Sequence, residues 1–284
     1  MYYGYNISDY TADLARRAEA DCKEMFAKIE KNCLICSAKV LSAFQECKVS
    51  TADFIEVTGY GFTDSGRDKL EEIYARVFGA EDALVRPQLM SGTHALAVTL
   101  GGLCKPGDTL LYVSGTPYDT LQTVIGTAGG SRNSLMAYGV KYEEIDLKCG
   151  KFDIEAIKQR LRESFVKVAA IQRSRGYAQR KSLTIAEIEE AVKAIKEVSP
   201  DTIIMVDNCY GEFTEEREPT DVGADVFVGS MMKNLGAGFA VSGAYCVGKK
   251  AVIEDIAERL TAPCIGKDLG ANFNQLASFY KGFF

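Results

Sequence analysis

The apolar positions of the chain follow two different periods, which change near residue 80. In the first fifty or so residues, Ala, Leu, Met and Phe recur at spacings of three and four, a pattern that predicts helices. A glycine-rich turn, TGYGFTDSGRD, then leads into a charged helix, KLEEIYARVFG. Beyond residue 80, short apolar runs alternate with helical patterns, as they do in α/β domains.

The apolar runs beyond residue 80 are rich in Val and Ile, which favour strands. The predicted strands are DALVRP, TLLYV, VKVAAIQ, TIIMVDN, ADVFVG and GAYCVG. The predicted helices between them are THALAVTLGGLC, TPYDTLQTVIG, DIEAIKQRLRES and TIAEIEEAVKAIKEV. Strands that alternate with helices form mainly parallel sheets covered on both faces. We therefore predict an α/β fold in which a mainly parallel sheet is flanked by helices.

The same patterns divide the chain into three parts. Residues 1–60 are expected to form an N-terminal helical segment, and residues 61–260 a large domain. The last part, residues 261–284, ends in NFNQLASFYKGFF, an apolar sequence that is more typical of an interrupted domain than of a solvated tail. We expect this part to be the start of a truncated C-terminal domain.

Charge and residue counts exclude several classes of function. The 284 residues carry a formal net charge of −6 with a pI near 5.1, which argues against the basic surface that nucleic-acid binding needs. A single histidine, His94, excludes multi-histidine metal sites and any His–Asp triad away from that residue. Neither a signal peptide nor a run of about 18 apolar residues is present. We expect a cytoplasmic protein that binds no membrane, no metal and no nucleic acid.

The cysteines agree with a reducing compartment, because their number, nine, is odd. Cys33 and Cys36 form a C-x-x-C in a helical run, where this spacing places both on one face. Redox and zinc sites use the same spacing, but no second pair of ligands follows at the distance typical of a zinc finger. We therefore expect Cys33 and Cys36 to pack in the interior.

Ligands of parallel α/β sheets bind beyond the carboxyl ends of the strands, so the residues after each strand are the candidates for chemistry. Ser91, Gly92 and Thr93 follow the first strand and open an apolar helix, whose free N–H groups favour an anion such as phosphate. The same residues would also serve as an ordinary helix cap. Tyr118 follows the second strand, where its ring could stack on a flat cofactor or pack over the next helix.

Two charged residues follow later strands. Asp207 ends the apolar run TIIMV, and a buried carboxylate is costly unless it is paired or functional. Lys233 lies three residues beyond ADVFVGS in a glycine-flanked loop, and a partly desolvated lysine can act as a Schiff-base nucleophile. Ser230-x-x-Lys233 also matches a motif of penicillin-binding proteins, but the Lys-Thr-Gly and Ser-Asp-Asn elements of those enzymes are absent.

The order of these features is more informative than any one of them. A phosphate site, a stacking ring, a carboxylate for the pyridine nitrogen and a lysine for the aldehyde are what pyridoxal 5'-phosphate needs from a protein. The sequence therefore indicates a pyridoxal-phosphate enzyme.

Long segments of the sequence resemble one family. They are TGYGFTDSGRDKLE, SGTHALAVTL, PGDTLLYVSGTPYDTLQTVIG, IQRSRGYAQRKSLTI, VDNCYGEF, SMMKNLGAGFAVSGAYCVG and TAPCIGKDLG. The chain resembles the methionine gamma-lyase-like, aluminium resistance protein branch of the cystathionine lyase group, which are fold-type-I pyridoxal-phosphate enzymes. The resemblance implies that Lys233 forms the internal aldimine, that Asp207 pairs with the pyridine nitrogen and that Tyr118 stacks on the ring.

The resemblance also implies the remaining contacts to the cofactor. Phosphate binding would fall to Ser91, Gly92, Thr93 and Ser230. Tyr60 and Arg67 are similar to a segment that, in related lyases, reaches the phosphate of a neighbouring subunit. The expected assembly is therefore a homodimer or homotetramer with shared active sites.

The sequence departs from the family pattern at two places. Fold-type-I enzymes often carry a Pro-x-Asn-Pro element after VAAIQ, where this chain has Arg173-Ser174-Arg175. Arg173 or Arg175 could hold a substrate carboxylate, or could be solvated. The family's chains also run on into a smaller domain that usually supplies a carboxylate-binding arginine, and we expect this sequence to lack most of that domain.

The predicted function is that of a carbon–sulfur lyase acting on a sulfur-containing amino acid, of the methionine gamma-lyase or cystathionine lyase type. Two alternatives remain open. One is another pyridoxal-phosphate reaction, such as transamination or aldol cleavage, because the cofactor residues do not select the reaction. The other is a truncated, non-catalytic remnant that binds the cofactor.

Overall fold

A seven-stranded sheet forms the centre of the computed structural model, which describes residues 3–55, 57–59 and 64–284. Its strands are β1 (Asp82–Arg86), β2 (Thr109–Tyr112), β3 (Lys141–Glu144), β4 (Val168–Gln172), β5 (Ile203–Asp207), β6 (Val226–Ser230) and β7 (Ala244–Gly248). Their order across the sheet is β1-β7-β6-β5-β4-β2-β3. Only β7 runs antiparallel to its neighbours, β1 and β6. The prediction of a mainly parallel α/β sheet is confirmed.

Six of the seven strands coincide with predicted apolar runs, and β3 is the exception. Its sequence, KYEE, contains three charged residues and no apolar repeat, because β3 lies at the edge of the sheet and is largely exposed. Polar edge strands are common, since charged side chains discourage pairing with another chain. Hydrophobic periodicity therefore gives no signal for this strand.

Eight α-helices surround the sheet within the described ranges. They are α1 (Asp9–Glu46), α2 (Ser65–Val77), α3 (Gly92–Leu103), α4 (Asp119–Ile125), α5 (Ile154–Glu163), α6 (Ile185–Val198), α7 (Lys250–Leu260) and α8 (Leu276–Phe283). Side-chain caps begin several of them: Asp153 caps α5, and Thr184 and Glu187 form a capping box on α6. In the described residues, no helix is long and apolar enough to cross a membrane.

The helices cover the sheet in two layers. Side chains of the strands alternate between them, as the period of two requires: Ile204 and Val206 face the core shared with α2, α5, α6 and α8, whereas Met205 faces the core shared with α3 and α7. This arrangement leaves the carboxyl ends of the parallel strands open, and these ends carry the candidate site.

The first helix, α1, extends well beyond the body of the molecule. Its 38 residues span about 57 Å at the usual rise, but only Ala12, Cys36, Val40 and Ala43 are buried. The exposed large apolar side chains on this helix are Tyr10, Leu14, Met25, Phe26, Ile29, Leu34 and Leu41. The prediction that Cys33 and Cys36 both pack inside is correct for Cys36 alone, because Cys33 is exposed on the outward side.

The C-terminal residues pack back onto the large domain. In α8, the ring of Phe283 stacks on Tyr74 of α2 with ring centroids 4.0 Å apart, and the Tyr280 hydroxyl donates to the Gly66 carbonyl. Upstream, Lys267 pairs with Glu71 and Asp82. Residues 261–284, predicted as the start of a further domain, thus share the core of residues 61–260 in this chain.

Candidate active site

A cavity of about 530 Å³ opens at the carboxyl ends of the parallel strands. Three strands end at it, because Gln172, Asp207 and Ser230 are the last residues of β4, β5 and β6 and all contact the cavity. Its lining consists of Ser91, Gly92, Thr93, Tyr118, Asp119, Thr120, Gln172, Ser174, Gly176, Tyr177, Asp207, Cys209, Tyr210, Ser230, Met232 and Lys233. Of the predicted cofactor residues that the structure describes, all except Arg67 therefore converge here.

Lys233 lies in the short loop that follows β6. A Cβ on Gly236 of this loop would stand 1.6 Å from the Met231 carbonyl oxygen, so the tight return of the chain requires glycine. Burial alone lowers the pKa of the Lys233 amine, but the Cys209 sulfur and the Asp207 carboxylate favour the ammonium form, and the net pKa is raised. The side chain therefore carries a positive charge in the cofactor-free protein.

Asp207 is almost completely buried at the end of β5, with 3% of its surface exposed. Its Oδ1 accepts a hydrogen bond from the Cys209 backbone N–H at 3.1 Å. Burial raises the pKa of this carboxyl, against the opposing influence of that hydrogen bond and of the Lys233 charge. A carboxylate in such a position favours any cationic nitrogen that enters the cavity.

The first turn of α3 forms one wall of the cavity. Ser91 caps the helix, and its Oγ accepts the His94 N–H at 3.2 Å. A Cβ on Gly92 would lie 3.3 Å from the Cys209 sulfur and 3.4 Å from the Ser230 Cβ, so glycine leaves a hollow between three segments of the chain. Backbone N–H groups in the first turn of a helix have no intrahelical acceptor, and they point toward an anion bound there.

Tyr118 lies half-buried beside this helix start. Its hydroxyl is 3.0 Å from Thr93 Oγ1, and its backbone N–H donates to Gln172 Oε1 at 2.9 Å. Burial raises the pKa of the phenol, so the hydroxyl keeps its proton. The ring is thus anchored at both ends next to the cavity.

The residues at the cavity match the groups that pyridoxal phosphate needs. The hollow at Gly92 and the N-terminus of α3, together with Ser230, suit a phosphate, and Tyr118 presents an aromatic ring. Asp207 suits a protonated pyridine nitrogen, and Lys233 suits the aldehyde. The donor set therefore fits the predicted cofactor.

Arg173 does not fit its predicted role in substrate binding. Its side chain is buried, and the guanidinium donates to the Leu183 carbonyl, Asn208 Oδ1, the Gly211 carbonyl, Thr214 Oγ1 and Glu215 Oε1. A guanidinium has five N–H donors, so none is left for a substrate carboxylate. Arg173 instead holds the turn after β5 against the loop after β4. Arg175 is exposed and lies outside the cavity lining.

The predicted role of Tyr60 and Arg67 at the phosphate of a neighbouring subunit stays a prediction. Tyr60 lies outside the described residues. Arg67 is 1% exposed within its own chain, where it donates to Asp68 Oδ1 at 3.0 Å and to the Asp268 carbonyl at 3.3 Å. It does not contact the cavity, so the structure brings it together with residues near 268 rather than with Lys233.

Sequence reasoning missed several residues of the site. Gln172 ends β4 just as Asp207 ends β5, so the rule that selected Asp207 would also have found Gln172. Cys209 and Tyr210 lie two and three residues beyond Asp207, and both contact the cavity. Nothing in their residue types distinguishes them from packing residues, because it is the turn after β5 that aims them at Lys233.

Comparison with known proteins gives the family context. The family model described as methionine gamma-lyase matches residues 11–284. The uncharacterized protein YnbB of Bacillus subtilis is 46% identical over 272 residues, which are 95% of this chain and 64% of YnbB. The chain therefore spans less than two thirds of that relative.

Solved structures of two other proteins are similar to this chain. A carbon–sulfur lyase involved in aluminum resistance from Clostridium novyi is 44% identical, with a TM-score of 0.94 over 98% of this chain and 67% of that chain. The pyridoxal-5'-phosphate-dependent protein YhfS of Escherichia coli is 19% identical, with a TM-score of 0.65 over 90% of this chain and 63% of that chain. At that identity the likeness to YhfS concerns the fold alone.

Proposed function

The chain belongs to the methionine gamma-lyase family, and on this premise we propose that it is a cytoplasmic, pyridoxal-phosphate-dependent carbon–sulfur lyase. Its substrates would be sulfur-containing amino acids such as cystathionine, methionine or cysteine. The observation that carries the proposal is the convergence of Lys233, Asp207 and the first turn of α3 on one cavity.

The chemistry that this site would perform follows from its residues. Bound pyridoxal phosphate would supply an electron sink for the pair released when the substrate loses its alpha proton. Lys233, the only lysine among the described residues that line the cavity, is the group placed to take that proton, and it would later return a proton to the product. Asp207 would hold the pyridine nitrogen protonated, and Ser91, Gly92, Thr93 and Ser230 would hold the phosphate.

Tyr118 would orient the substrate and cofactor from one side. Its phenol keeps its proton at neutral pH because burial raises the pKa, so it can donate a hydrogen bond to a departing sulfur. The His94 side chain has a structural role, because its Nδ1 accepts the Met90 N–H at 3.2 Å and braces the loop before α3. The proton transfers therefore rest on lysine and tyrosine.

The proposal is tested in two steps with the purified chain. First, borohydride reduction in the presence of pyridoxal phosphate, followed by peptide mapping, should place the pyridoxyl label on Lys233. Label on another lysine, such as Lys105 or Lys267, would contradict the assignment. Lys105→Ala should still take the label, and Lys233→Ala should not.

Second, product analysis separates a lyase from its alternatives. Incubation with cystathionine, methionine and cysteine in turn should yield a keto acid, ammonia and a thiol or sulfide together. A keto acid formed without ammonia, and only with an added keto-acid acceptor, would indicate transamination. A labelled but inactive chain would instead indicate a cofactor-binding remnant.

We also propose that the chain works as a homodimer or homotetramer with shared sites. The exposed apolar side chains of α1 support association, because larger exposed apolar areas often mark interfaces between proteins. Tyr60 is the side chain that the family resemblance directs to a neighbouring subunit.

A further inference from the structure

Tyr210 adopts an unusual backbone conformation for an aromatic residue. Its φ is +69°, in the left-handed region that glycine prefers, and Phe213 in the same turn has φ +58°. Such conformations are energetically unfavourable and persist where the surrounding structure imposes them, often at functional sites. In this turn, Arg173 imposes the geometry by binding the Gly211 carbonyl and Asn208 Oδ1.

The strained turn places the Tyr210 ring against Lys233. The Lys233 Nζ lies over the ring face, 4.2 Å from its centroid, which is the geometry of a cation–π interaction. The ring is otherwise 61% exposed, so hydrophobic burial does not explain its position. Tyr210 also forms part of the cavity wall and of a second cavity of about 220 Å³ next to it.

The contacts of the amine explain why an aromatic face is useful here. Lys233 is partly buried, which disfavours its ammonium form, and Asp207 is the carboxylate beside it. In the proposed reaction Asp207 is committed to the pyridine nitrogen and is then less able to compensate the lysine charge. A ring face stabilises an ammonium without adding a negative charge or a competing base.

We infer that Tyr210 is a positioning residue that holds the Lys233 amine over its ring whenever that amine is free. The inference rests on the proposed function only in taking Lys233 as the reacting amine. When Lys233 removes the alpha proton, the carbon–hydrogen bond breaks, an N–H bond forms, and the electron pair passes to the cofactor. The resulting ammonium then lies on the Tyr210 ring, in reach of the carbon from which the proton came.

The inference is tested on the free amine, without cofactor or substrate. Reductive methylation of the cofactor-free protein with ¹³C-formaldehyde gives each lysine an NMR signal, and the Lys233 signal is identified by its absence from Lys233→Arg. Its pH titration gives the pKa of Lys233 in the parent and in Tyr210→Phe, Tyr210→Leu and Tyr210→Gly. Tyr177→Leu is the matched control, because Tyr177 contacts the same cavity but is 90% exposed.

The expected pattern depends on the ring more than on the hydroxyl. Tyr177→Leu should leave the pKa of Lys233 unchanged, and Tyr210→Phe should lower it less than Tyr210→Leu, which should lower it by about 0.4–1.5 pH units. Tyr210→Gly should lower it similarly, and should melt about 2–4 °C higher than Tyr210→Ala because glycine relieves the strain. If Tyr210→Leu impairs folding, Tyr210→Gly still shows whether loss of the ring lowers the pKa of Lys233.

Two results would overturn the inference. One is an unchanged pKa of Lys233 in both Tyr210→Leu and Tyr210→Gly. The other is an equal shift in Tyr210→Phe, which would assign the effect to the hydroxyl. Because no cofactor is used, these results are independent of whether pyridoxal phosphate labels Lys233, so a failure of the proposed function is recognised separately.

Discussion

The Glu212 carboxyl accepts a 2.5 Å hydrogen bond from the Tyr245 hydroxyl, in the interior behind the cavity. Gly229 makes room for this pair, since a Cβ there would stand 2.1 Å from the Tyr245 oxygen. The second Glu212 oxygen is buried without a partner among the described residues, and the Glu212 backbone carbonyl accepts from Asn234, next to Lys233. Glu212 thus contacts Tyr245 through its carboxyl and the loop that carries Lys233 through its backbone carbonyl.

This acid predicts a pH-dependent stability. Burial raises the pKa of Glu212 from 4.5 to about 7, so the folded chain retains a proton that the unfolded chain releases. The free energy of unfolding should therefore fall by about 3 kcal/mol as the pH rises from about 4.5 to about 7, and level off above. Denaturant unfolding of the parent and Glu212→Gln at several pH values measures the difference.

Glu212→Gln should lack this component of the pH dependence, because its amide does not titrate. Tyr245→Phe is a second check: without its hydrogen bond the pKa of Glu212 should rise further and move the decline to higher pH. Parallel curves for the parent and Glu212→Gln would show that Glu212 does not titrate in this range.

Asp207→Asn tests the carboxylate at the end of β5. The amide keeps the shape but removes the charge that would hold the pyridine nitrogen protonated. Cofactor should still bind through the phosphate site, whereas exchange of the substrate alpha proton, followed by NMR in D₂O, should slow at least about a hundredfold. Asp119→Asn is the control in the same cavity, and exchange at the parental rate in Asp207→Asn would assign Asp207 another role.

Gly92→Ala tests the hollow at the start of α3. The added methyl would stand 3.3 Å from the Cys209 sulfur and 4.0 Å from Lys233 Nζ, in space that the cofactor would use. We expect affinity for pyridoxal phosphate, measured by equilibrium dialysis, to fall about tenfold or more, which corresponds to ~1.4 kcal/mol. Gly101→Ala, farther along the same helix, should bind as the parent does. Equal affinities would place the phosphate elsewhere.

Arg67→Ala should destabilise the chain itself. The substitution leaves the Asp268 carbonyl without its donor and opens a cavity under residue 268. We expect a loss of about 2–3 kcal/mol in the free energy of unfolding. Arg76 on the same helix is 46% exposed at its side chain, so Arg76→Ala should cost about 1 kcal/mol or less. Equal costs would argue against a buried structural role for Arg67.

Subunit mixing tests the shared site. Tyr60→Ala and Lys233→Ala should each be inactive, and a mixed population should regain part of the activity, because some hybrid pairs then contain one intact site. Exchange of subunits is verified by mass spectrometry of differently tagged chains. A mixture that stays inactive after complete exchange would show that Tyr60 serves its own chain or no site.

The strands of the sheet and most residues of the candidate site could be predicted from the sequence for one physical reason. Buried parallel strands are continuous apolar runs. Polar residues at their carboxyl ends, such as Asp207 and Ser230, therefore lie close together on the same side of the sheet. The same reasoning failed for β3, whose exposed position removes the apolar signal. It also failed for Arg173, since five acceptors from distant segments surround that side chain only in the folded chain.

Both edges of the sheet are protected against further strand pairing. At β3 the sequence KYEE presents three charged side chains at the edge, which disfavour pairing with another strand. At β1 the Val85 N–H already donates to Glu71, which is itself paired with Arg86. Addition of a further strand is therefore disfavoured at both ends of the sheet.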